Sequence, residues 1–336
     1  MRRVLVIIVI ACQVLVLAFM AGKREYIAVS GRTVHLRTAP IDPRDMFRGD
    51  YVKLRYELST VPYSKADPDV VEQFKKNRAG TEVYAALREG EDGLAELASL
   101  SLNRPQGLFL KGRFAAYNDQ MASGGGIPVV YGIESYFVEQ GKGLVMERMR
   151  GTRNTVQIPM EMELAVAGDG TAVLKGHRWS RLGLGIEMLT SRQTGTAPRK
   201  KSARFRITFK NNTDKPLALV NMPGYCSLIL EPVSYGQEPA EVPVKPLCAQ
   251  LKPSASDVVT LEAEATGFVD IDLSDPDWLV NYQGKVQEPG ELHWQERFRI
   301  VYQPPDAGAC AHLREASLVW HGRMSTAAFH GRGNID

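Results

Sequence analysis

The sequence predicts a mainly β protein carried on one N-terminal transmembrane helix. A β-rich α+β domain follows the helix, and an antiparallel immunoglobulin-like β-sandwich follows that domain. Three observations lead there. Residues 4–21, VLVIIVIACQVLVLAFMA, contain no charge, and as a helix they extend about 27 Å, close to the roughly 30 Å hydrocarbon core of a bilayer. From Thr33 onward, apolar residues recur at every second position, which is the strand period. After Phe205 no helical period of useful length returns, and short apolar runs alternate with Pro- and Gly-containing turns.

Arg2 and Arg3 precede the apolar run and favour a cytoplasmic amino end, although Lys23 and Arg24 flank the far side. The competing reading is a cleaved signal peptide, which has a shorter apolar region and a small-x-small exit. Here the exit is Ala18-Phe19-Met20-Ala21, with bulky side chains where a small one is wanted. An uncleaved anchor over residues 1–22 is therefore expected. A β-rich domain over 23–187, a linker over 188–203 and a sandwich over 204–331 complete the expected organisation.

In the first domain, Val34, Leu36 and Thr38 alternate with His35 and Arg37, which predicts a strand. The turn-rich stretch 39–50 leads to a strand over 51–58 whose Val52, Leu54, Tyr56 and Leu58 share one face. Asp67-Pro68 starts a short helix that buries Val70, Val71 and Phe74 and ends before Gly80. Strands are expected at 81–88, 107–117 and 127–138. A short helix over 141–150 should turn Leu144 and Val145 inward. Two closing strands, 155–166 and 171–179, meet at Gly168-Asp169-Gly170, a hairpin turn. The aperiodic, basic stretch SRQTGTAPRKK forms the linker. In the second domain, strands are expected at 204–210, 217–220, 297–302 and 317–323, with a helical turn at 275–279 and a frayed end over 331–336.

The 336 residues are 44% hydrophobic and 24% charged with a formal charge of +3, too small and too dispersed to argue for a nucleic-acid partner. Of the four cysteines, Cys12 lies in the apolar run. Shorter loop closure favours a Cys226–Cys248 disulfide, leaving Cys310 free. There is no CxxC pair, HExxH, GxSxG elbow, phosphate-binding loop or dinucleotide fingerprint, so no cofactor is expected and no metal site.

The segment beginning at Pro40, PIDPRDMFRGDYVKLRYELS, resembles the signature of the GDYxxLxY family of bacterial proteins. Gly49, Asp50, Tyr51, Leu54 and Tyr56 fit its name positions, and the segment from Tyr131 to Gly143, with Glu147, is similar to its second block. The likeness covers roughly residues 1–187. It implies an anchor in the bacterial cytoplasmic membrane and a β-rich extracytoplasmic domain, and it supplies no reaction.

Asp42, Arg44, Asp45, Arg48 and Asp50 put three carboxylates and two guanidiniums within nine residues. Close carboxylates suit a hard cation, but the interspersed arginines oppose one and the spacing misses a calcium loop. A salt-bridge and Asx-turn network explains the cluster better. Tyr51, Glu57, Tyr136, Glu139 and Glu147 are candidates to line the same surface. Two function classes follow. One is an envelope protein that binds a protein or a surface polymer, and the other is an envelope hydrolase using Asp45, Asp50 and Glu139 as acid and base.

Overall fold

A computed structural model describes residues 2–39, 51–76, 79–115, 126–139, 142–151, 155–189, 202–233, 240–243, 245–293, 295–333 and 335. Among the described residues the chain is mostly β, with several antiparallel sheets and no barrel, behind one apolar helix.

That helix, Arg2–Ser30, is longer than the anchor expected over residues 1–22. Lys23 to Ala28 include no helix breaker, so the helix continues until Gly31, whose N–H bonds the Ile27 carbonyl at 2.8 Å. Ile27 is only 4% exposed and seats the last turns against the domain. A Cβ at Gly31 would lie 2.6 Å from the Ile27 carbonyl and 3.0 Å from the Val166 nitrogen, so a glycine lets the chain turn there. By length and composition, Val4–Ser30 is able to cross a membrane.

Beyond Gly31, Arg32–Arg37, Met160–Val166 and Ala172–Trp179 form a three-stranded antiparallel sheet. A five-stranded sheet runs in the order Thr60–Val61, Ile127–Val130, Phe109–Phe114, Glu82–Glu89, Ala95–Ser101. The two share a core that includes Leu36, Leu58, Val83, Leu100, Leu110 and Met162. Each such side chain, buried, contributes about 1.5–3 kcal/mol relative to exposure. The helix Pro68–Lys75 closes one side, with Val70 buried and Phe74 edge-on to Phe114 at 5.6 Å.

Two local expectations need correction. Residues 51–58 are not one strand: Tyr51–Lys53 pairs with Ser135–Phe137, and Glu57–Ser59 is a turn of 3-10 helix. The Ser59 hydroxyl accepts the Tyr56 N–H at 3.0 Å and curls the chain, yet Val52, Leu54, Tyr56 and Leu58 all remain buried. In the helix Lys142–Arg150, Val145 points outward at 54% exposure. The inward side is set instead by Gly143, where a Cβ would be 3.8 Å from both Val52 and Val138, and by Met146, which packs on the core.

A second core draws its side chains from two further sheets. One is Leu182–Met188, Arg204–Asn211 and Thr266–Asp272, and the other is Leu228–Pro232, Phe298–Tyr302 and Met324–Ser325. Phe205 meets Phe329 at 4.6 Å and Phe209 meets Tyr302 at 5.1 Å. Leu182, Leu184 and Ile186, assigned from sequence to the first domain, belong to this second core because their strand pairs along its length with Arg204–Asn211. The chain's end is also held rather than frayed. The Gly331 carbonyl accepts the Ala203 N–H at 2.8 Å, and Ile335 bridges back to Phe329. Cys226 and Cys248 form a disulfide with Cα atoms 5.3 Å apart, while Cys310 is free and buried.

The two cores are joined by a buried ion cluster. Arg37 donates to Asp92 at 2.9 Å and to the Arg323 carbonyl, lies 3.6 Å from Glu161, and faces the Trp320 ring at 5.8 Å. Burial disfavours its charge, but Glu57, Asp92 and Glu161 outweigh that and raise its pKa. The neighbouring Glu91 accepts the Ala307 N–H at 2.9 Å, so the hairpin tip at residues 91–92 is clamped in the second half.

Candidate functional site

The two sequence blocks meet. The Leu54 N–H bonds the Glu134 carbonyl at 2.7 Å, the Tyr56 hydroxyl donates to the Ile133 carbonyl at 2.8 Å, and the Tyr131 hydroxyl donates to the Leu58 carbonyl at 3.0 Å. Glu134 in turn accepts the Tyr131 N–H. Buried aromatic bodies with satisfied hydroxyls fix one loop on the other. Leu54 and Tyr56 therefore serve packing and register, not chemistry.

Outside this clasp the chain presents an aromatic edge. Tyr136 stands opposite Val52 on the Ser135–Phe137 strand, and its hydroxyl lies 3.3 Å from His177 Nδ1. The two rings are T-shaped at 5.5 Å, and His177 is perpendicular to Trp179 at 6.0 Å. Burial lowers the His177 pKa, so the imidazole is neutral at pH 7. A half-buried Tyr–His–Trp row can stack on a flat or apolar partner and offers one hydroxyl for orientation. His177 and Trp179 escaped the sequence reading, although both sit in the predicted strand 171–179 and its alternation was a usable signal.

Of the residues singled out from sequence, Asp42, Arg44, Asp45, Arg48 and Asp50 lie outside the described residues, as do the side chains of Tyr51 and Glu147. The Tyr51 backbone pairs with Phe137. Glu139 is exposed and bonded to Lys142 at 2.7 Å, a contact that holds its carboxyl below the usual range. That shift opposes the raised pKa a general acid needs. Glu57 is exposed, and its charge acts on Arg37. Among the described residues, no group of three or more His, Cys, Asp or Glu side chains is placed to hold a metal ion. A cleft of about 420 Å³ in the second half is walled by the disulfide, Met222, Leu251, Pro305 and His312, and its lining includes no carboxylate.

The geometry defines a class: a β-rich unit behind an apolar helix, built around a clasp of two tyrosine-bearing loops. Residues 13–176 match the family model described as GDYXXLXY protein. Neither a curated protein nor a solved structure matches the chain.

Proposed function

We propose that the protein is a single-pass component of the bacterial cell envelope. In this reading it is anchored in the cytoplasmic membrane with both β-rich parts extracytoplasmic, the second an immunoglobulin-like sandwich. There it binds an envelope protein or a surface polymer. The observation that carries the reading is the Arg2–Ser30 helix, whose apolar side chains from Val4 to Met20 stand exposed and have only lipid to meet. A disulfide beyond the helix fits an oxidising compartment. The Tyr136–His177–Trp179 row favours binding over hydrolysis, because Glu139 is tied to Lys142. Reporter fusions after Arg199 test the topology: extracytoplasmic activity and retention in the membrane fraction after a high-salt wash are expected. Release of a chain beginning near Gly22 would overturn the anchor in favour of a signal peptide.

A further inference from the structure

We infer that the end of the first domain nearest the helix rests directly on the bilayer and contacts phospholipid headgroups. This builds on the anchor reading and adds a second membrane contact to it. The apolar run stops at Ala21, and Lys23, Arg24 and Glu25 follow within the same unbroken helix. From Lys23 to Gly31 the helix rises only about 12 Å. Ile27 holds its last turns to the sheet, so no flexible spacer separates domain from membrane.

The sheet end that meets the helix is the end carrying the 168–170 turn. Val166 pairs with Arg32 on one side and Ala172 on the other, and the turn lies directly beyond it. The helix passes this turn on its way to the membrane. The Asp169 carboxyl is held low first by the Thr171 N–H, and the Lys23 charge acts on it as well. The helix packs against both strands that this turn joins, which sets Asp169 beside the helix near its exit. A second loop meets the turn: Arg104 donates to the Gly168 carbonyl and stacks on Phe109 at 5.2 Å, and the Lys111 N–H bonds the Gly170 carbonyl at 2.9 Å.

Lys23 and Arg24 on the helix and Arg104, bonded to the 168–170 turn, are all exposed, as are Asn103 and Gly168. Guanidinium and ammonium groups near the helix exit suit lipid phosphates. Tyr26, exposed on the same helix, has the amphipathic ring common at membrane interfaces.

The test uses the full chain with Cys12 and Cys310 replaced by Ser, reconstituted in vesicles of phosphatidylglycerol and phosphatidylcholine. A fluorophore is placed in turn at Leu15→Cys, Asn103→Cys, Gly168→Cys and Lys285→Cys, and quenched by spin-labelled lipids at headgroup or mid-chain depth. Headgroup quenchers should dim positions 103 and 168 several-fold more than 285, and mid-chain quenchers should dim 15. Arg104→Gln should weaken quenching at 168. If 15 is quenched while 103 and 168 match 285, the headgroup contact is refuted and the anchor stands. If 15 is not quenched, both fall. Shielding of 103 and 168 by a co-purifying protein, with no lipid quenching, would assign this end to a protein partner instead.

Discussion

At Tyr56, 1% exposed, one hydroxyl ties the two family blocks together through the Ile133 carbonyl. Tyr56→Phe keeps the ring and leaves a buried carbonyl without its donor. Thermal melts of the full chain in detergent should show a loss of about 1–3 kcal/mol, with membrane association unchanged. An unshifted melt would mean that the clasp is held by packing alone. Glu231 supplies a pH-dependent counterpart. Burial pushes its carboxyl up, but Arg299 at 2.5 Å and Arg323 at 2.8 Å outweigh that and hold it below the ordinary 4.5. A carboxyl lowered in the folded state stabilises above its unfolded value, and this stabilisation is lost as pH falls through the lowered folded value. Melting temperature should therefore drop on acidification below about pH 4.5, and Glu231→Gln should flatten that part of the profile while lowering the melt at pH 7. Sequence made the inward set Val52, Leu54, Tyr56 and Leu58 legible, because alternation survives a change from strand to 3-10 turn. Arg37 broke the pattern: its buried charge depends on Asp92, 55 residues away along the chain, and no local period encodes that partner.

Among the elements, the turn closing Met160–Val166 onto Ala172–Trp179 was legible from Gly168-Asp169-Gly170, and Gly170 has φ +83°. A Cβ there would also lie 2.5 Å from the Phe109 ring. Gly170→Ala should then cost somewhat more than the roughly 1 kcal/mol of the left-handed penalty alone, read as a lowered melting temperature. Gly168→Ala, with nothing within 4 Å of its Cβ, is the neutral control. The disulfide is the second elemental device. Replacing Cys226 and Cys248 by Ala should cost about 2–4 kcal/mol, and Cys310 should react with an alkylating agent only after denaturation. Mass spectrometry that links Cys310 to either partner would overturn this pairing. The helix end was less legible, because charge marked Lys23 as the exit while docking of Ile27 kept the backbone helical to Ser30.

For the whole molecule, the seam between the cores has no local signal in the sequence, because nothing in the run Glu89 to Asp92 marks its carboxylates as partners of a distant arginine. Asp92 and Arg37 instead have side chains 10% and 5% exposed. Asp92→Ala leaves Arg37 with the charges of Glu57 and Glu161 but without its hydrogen-bonded carboxylate, and breaking such a buried pair costs about 3 kcal/mol. Calorimetry should convert one cooperative transition into two, one for each core. A single transition shifted as a whole would place the coupling elsewhere, in the paired backbone hydrogen bonds between Gln157 and Leu184 that tie the 182–188 strand to the first half.

The unbroken Arg2–Ser30 helix acts as a mast, not a leash. A leashed domain samples a hemisphere and meets its target wherever the slack allows. Under the proposed anchoring, a domain fixed to a mast would keep one side toward the membrane and one away from it, and it would change heading only when the whole helix tilts or spins in the lipid. Its encounters would then be confined to a thin layer above the bilayer, and a partner would have to enter that layer at the right height. Splicing a flexible Gly-Ser segment after Gly22 would widen the layer and blur the heading. Crosslinking to a membrane-bound neighbour should then fall even though every contact surface remains intact.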